Sequence, residues 1–76
     1  MNNQRRKEIN EVIKRLMDIK SDIESIAGDE QDYYDNMPEN LQGSMRAETS
    51  ENALDSLYSA IDSIDEISDV LTEASN

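Results

Sequence analysis

Two apolar repeats, one on each side of a single proline, limit what this chain can fold into. From Ile9 the repeat runs at alternating spacings of three and four: Ile9, Val12, Leu16, Ile19, Ile23, Ile26, then Glu30, Tyr33 and Met37. Beyond Pro38 the same alternation returns at Ala53, Leu57, Ala60, Ile64, Ile67, Leu71 and Ala74. This spacing collects side chains on one face of an α-helix and does not fit a half-buried strand, whose period is two. Ile13, Ala27 and Tyr34 widen the first stripe, and Leu54 and Ile61 the second, as expected of helices with more than one neighbour.

The punctuation between the repeats sets the helix ends. Pro38 disfavours a helical conformation at Met37 and has no backbone N–H to donate. It also suits the start of a new turn, so "PENLQ" is expected to form one short turn ending at Gly43. Ser44 is then the expected N-cap of the second helix, with Glu48 in its first turn beside the positive end of the helix dipole, and Thr49 and Ser50 offer a later alternative start. Gly28 lies inside the first repeat, which keeps its phase across it, so the first helix is expected to be continuous. The resulting prediction is all-α: helices over about 5–36 and 45–74, a connection over about 37–44, and an antiparallel two-helix hairpin.

A 76-residue chain with no cysteine and no histidine lacks the disulfides and ordinary zinc sites that staple small domains. Self-association is the remaining common route. A lone hairpin would leave Ile13, Tyr58, Val70 and their neighbours exposed, which predicts a homodimeric four-helix bundle. Packing positions, within the hairpin or between copies, are expected at Ile9, Ile13, Leu16, Ile19, Ile23, Ile26, Tyr33, Leu57, Ile64, Ile67 and Leu71.

Charge narrows the partner class. The net charge is -11, but residues 1–20 hold six of the seven basic side chains. An antiparallel hairpin sets that basic start beside the acidic end of the second helix, so the asymmetry is partly neutralised internally. Glu30 and Arg46 are expected to pair and fix the helix register. "RRK" at 5–7, with Lys14 and Arg15, has no adjacent aromatic to stack a base, so direct nucleic-acid binding is not expected. The positive start is followed by no signal-like or membrane-length apolar run, so the chain is expected to be soluble and cytoplasmic, with no membrane association.

Chemistry-bearing motifs are few. Asp29, Glu30, Asp32 and Asp35 crowd one segment, but lack the central glycine and closing glutamate of a calcium loop. No nucleophile–base pair or phosphate-cradling loop occurs, so neither catalysis nor a cofactor is expected. The connection "YYDNMPENLQGS" is more particular than a turn requires. Asp35, Asn36, Glu39, Asn40 and Gln42, with Arg46 nearby, are the candidate partner-binding residues.

The phrase "EQDYYDNMPENLQGS", followed by "ENALDSLYSAIDSIDEI", resembles a group of small acidic helical proteins, described as hypothetical, that are encoded in phages, prophages and integrative elements of Gram-positive bacteria. The resemblance covers roughly residues 30 to 68. It departs at Met45 and Arg46, where such proteins carry more polar or acidic residues. It implies no role for particular residues, but its mobile-element setting implies action on a host or phage protein. The expected function is therefore non-enzymatic macromolecule binding, in its most concrete form an anti-defence inhibitor of the anti-CRISPR type. The alternatives are an acidic nucleic-acid mimic, an oligomerisation accessory, and a binder that sequesters a signalling nucleotide through Arg5, Arg6 and Arg46.

Like-charge repulsion in so acidic a chain opposes the compact state at neutral pH. Thermal melts are expected to show the midpoint rising as the pH is lowered from 7 to about 5, where carboxylates begin to take up protons. A midpoint that falls steadily over that range would show that ion pairs outweigh repulsion.

Overall fold

The computed structural model describes residues 1–76. Helix α1 spans Asn3–Asp35, a single 3₁₀ turn covers Glu39–Leu41, and helix α2 spans Met45–Ser75. The two helices pack side by side as an antiparallel hairpin with extents of 60 × 15 × 12 Å. No helix is long and apolar enough to cross a membrane.

Local chemistry explains each boundary. Asn2 caps α1, its side-chain oxygen accepting the Arg5 N–H at 2.8 Å. At the other end Asn36 leaves helical geometry at φ -92, ψ 4, and its side-chain amide donates to the Asp32 carbonyl at 2.8 Å. Pro38 then takes an extended backbone, φ -57, ψ 147, and Leu41, Gln42 and Ser44 donate backwards to close the turn. Ser44 caps α2 by accepting from the Ala47 N–H, and Glu48 sits in the first turn. No residue, glycine included, has a positive φ. Gly43 is therefore not required by the turn's conformation.

The face that closes the hairpin differs from the expected one. Each helix carries two overlapping repeats. In α1 they share Ile9, Leu16, Ile23 and Glu30 and diverge between Val12, Ile19, Ile26, Tyr33 and Ile13, Lys20, Ala27, Tyr34. The structure turns the second set inward: Ala27 is fully buried, while Ile19, Ile26 and Tyr33 remain about half exposed. In α2 the shared positions are Leu57, Ile64 and Leu71. Leu54, Ile61 and Ser68 are buried with Ile64, whereas Leu57 and Leu71 are half-buried and Ile67 is 48% exposed. The second seam is thus not free of polar residues, since Ser50 and Ser68 lie within it.

Large-to-small matching gives the physical reason. From its alternatives α2 buries the larger Leu54 and Ile61 rather than Ala53 and Ala60, and α1 presents the small Ala27 and the flexible stem of Lys20. Ala47, Ser50 and Ser68 provide the corresponding close approaches on α2. The Ser68 hydroxyl, buried there, has no hydrogen-bond partner.

Four polar links along the interface fix the register. The Arg6 guanidinium donates to the Ser75 carbonyl at 3.0 Å, and Lys20 meets Asp65 at 2.7 Å. Ser50 donates to Glu30 at 2.9 Å, and the Tyr34 phenol donates to Glu51. The expected Glu30–Arg46 pair does not form: Glu30 accepts from Ser50, and the turned seam leaves Arg46 exposed. Likewise, Lys20–Asp65 is the only ion pair between the basic start and the acidic end.

Gly28 lies within continuous helix, and a Cβ added there meets nothing within 4 Å. Gly28→Ala is expected to raise stability by about 0.5–1 kcal/mol, read by urea denaturation, because it removes the backbone entropy of a mid-helix glycine without crowding.

Candidate functional site

The turned seam gives the hairpin two unlike flanks. On one, Glu51, Tyr58 and Asp65 repeat every seven residues along α2, and the Tyr34–Glu51 and Lys20–Asp65 links lie there. On the other, Val12, Ile19, Ile26 and Tyr33 repeat every seven residues along α1. A shallow groove of about 260 Å³ at the tip is lined by Tyr33 of α1 together with Arg46 of α2. That places the α1 stripe and the Arg46 side of α2 on the same flank.

This second flank is apolar along its length. A groove of about 230 Å³ at the terminal end is lined by Arg5, Glu8, Ile9 and Val12 of α1 and by Leu71 of α2. Leu71 also borders a groove of about 450 Å³ beside Ile67 and Val70. Most of the large exposed apolar side chains fall here: Ile19, Ile26, Tyr33, Ile67 and, at 64% exposure, Val70. The signal for it in the sequence is the doubled repeat, since each helix offers one apolar set more than a single seam consumes.

The tip residues divide by what already holds them. Asn36 is occupied in capping α1, and Asp35 accepts from the Gln31 amide at 2.9 Å. Glu39, Asn40 and Gln42 are exposed, and their side chains make no hydrogen bond within the chain. Arg46 belongs to the apolar flank, where it lines the tip groove with Asp32, Met37 and Leu41. Tyr33, expected in the core, is on that flank too, and Tyr34 takes the inward position.

The structure does not bring the remaining candidates together. Arg5 lines the terminal groove and Arg6 is tied to Ser75, whereas Arg46 is at the other end of a 60 Å rod. No single-chain pocket therefore gathers the three arginines around a nucleotide. The carboxylates form no group of three that would hold a metal ion. Comparison with known protein families, curated proteins and solved structures finds no match to this chain.

Two groups on the polar flank titrate above their ordinary values. Lys20 is raised from 10.5, first by its hydrogen bond to Asp65; desolvation, next in size, opposes the rise, and the attraction of Asp65, Glu24 and Asp62 adds to it. Tyr34 is raised from 10.0, mainly because its phenol donates to Glu51 and secondarily because it is partly desolvated. Their stabilisation is fully present below those ordinary values and is lost as pH rises through the raised ones. Denaturation midpoints are expected to hold up to about pH 9 and to fall above about pH 10. Lys20→Met and Tyr34→Phe should each make that fall shallower, and a fall of unchanged size in both variants would assign it elsewhere.

Proposed function

We propose that this protein is a non-enzymatic binding module that presents its polar tip to a host or phage protein and works as a homodimeric four-helix bundle. The observation that carries the proposal is the contrast at the tip. The backbone there is fixed by caps and turn hydrogen bonds, whereas Glu39, Asn40 and Gln42 have side chains committed to nothing within the chain. A rigid element that holds free polar groups outward lowers the ordering cost of binding. The mobile-element resemblance directs the partner toward a bacterial immune effector, which makes an anti-defence inhibitor the most concrete form of the proposal.

One observation favours a second form of the same activity, mimicry of nucleic acid. Residues 21–64, on the tip side of the Lys20–Asp65 pair, carry eleven acidic side chains and Arg46 as the only base. Such a surface fits a basic groove and would associate with it rapidly, in a salt-dependent manner.

The test is capture of a partner from a bacterial host lysate, followed by measured affinity for the captured protein. Replacing Glu39, Asn40 and Gln42 together with Ser, while retaining Pro38 and Ser44, is expected to leave helicity intact and weaken binding at least tenfold. Unchanged affinity would move the contact to the acidic helix faces. Competition by duplex DNA for the captured protein would favour mimicry.

A further inference from the structure

From the apolar flank and the charge distribution we infer that two copies of this chain pack flank to flank and head to tail, the tip of each lying over the terminal end of the other. The inference rests on the dimer proposed above and adds its interface and polarity.

The hairpin by itself is under-buried. It exposes 5651 Å², whereas a compact monomer of 8.6 kDa exposes roughly 4,700 Å². Its radius of gyration is 17.4 Å, against roughly 11 Å for a compact domain of this length. A flank 60 Å long and 15 Å wide offers on the order of 900 Å² per copy, which matches the ~800 Å² per partner of a stable interface. Only the flank with Ile19, Ile26, Tyr33 and Ile67 is suited to this. The opposite flank carries the Lys20–Asp65 and Tyr34–Glu51 links, which cover of that kind would desolvate.

Charge then chooses the polarity. On the tip side of Lys20–Asp65 the chain carries eleven acidic groups and one basic; on the terminal side, that pair included, it carries seven acidic and six basic. A same-end dimer would set two strongly acidic tips side by side. A head-to-tail dimer sets each acidic tip against a nearly neutral end whose α1 segment, residues 1–20, has an excess of base. The grooves on the flank repeat this complementarity at close range: Asp32 and Arg46 line the tip groove, and Arg5 and Glu8 line the terminal one. In this two-fold arrangement α1 packs antiparallel on α1 of the other copy. The seven-residue repeat of Val12, Ile19, Ile26 and Tyr33 then lies along its own copy for the whole length.

The chain has no cysteine, so Asn40→Cys introduces one unique spin-label site at the tip. Sedimentation is expected to give a dimer, and electron–electron distance measurement a tip-to-tip separation approaching the 60 Å length of the rod. A dimer with tips within roughly 20 Å, about two helix spacings, would overturn the polarity while leaving the dimer standing. A folded monomer at micromolar concentration, with no dipolar coupling, would overturn both. Ile26→Glu is expected to raise the dimer dissociation constant at least a hundredfold, whereas Tyr58→Ser, on the other flank, should change it less than threefold. A dimer insensitive to Ile26→Glu would remove this flank as the interface. If Ile26→Glu also melts the helices, Val12→Ser, which truncates without adding charge, supplies the same comparison. Neither reading depends on partner capture, so failure of the tip to bind a host protein leaves this test unaffected.

Discussion

The structure depends on which of two overlapping apolar sets closes the hairpin. Ile9, Leu16, Ile23, Leu57, Ile64 and Leu71 belong to both sets and face the other helix either way, Ile64 buried and the rest half-buried. The alternatives differ in size and polarity. Burying Leu54 and Ile61 on α2 against Ala27 on α1 matches large to small, and it brings Lys20 and Tyr34 to positions where Asp65 and Glu51 satisfy them. With the other choice, Ile26 and Tyr33 would enter the seam and the Lys20–Asp65 and Tyr34–Glu51 links would be lost.

That choice accounts for the surface. Once the inner set is spent on the hairpin, the outer set remains as a continuous apolar stripe, with Ile26 55% exposed. The hairpin's own core is correspondingly thin, and its fully buried positions are mostly small or medium side chains. A stripe of this length on so thin a core is the physical ground for the proposed bundle of two copies. The polar links lie on the other flank, so the molecule is two-sided in a way that composition alone does not reveal.

The tip follows a different logic from the seam. Its backbone is shaped locally, by Pro38, the Asn36 and Ser44 caps and the 3₁₀ turn, with Met37 buried beneath it. Because Asn36 and Asp35 are engaged in that local network, the free groups narrow to Glu39, Asn40 and Gln42. Arg46, although adjacent in sequence, is carried onto the apolar flank because it lies in the first turn of α2 at the position before buried Ala47.

The sequence by itself determined the all-α class, the antiparallel hairpin, the continuity of α1 through Gly28, the turn at "PENLQ" and the Ser44 cap. These rest on periodicity, backbone restriction and capping, which act over a few residues. It left the rotation of each helix open, because shifting an apolar set by one residue turns a helix by only about 100° and both sets satisfy the same spacing rule. It also pointed to a Glu30–Arg46 pair that does not form, because proximity along the hairpin does not say which way each side chain faces. Only the tertiary structure decided those points. Side-chain size and the satisfaction of partly buried polar groups are properties of two helices in contact, and neither is written in the pattern of one.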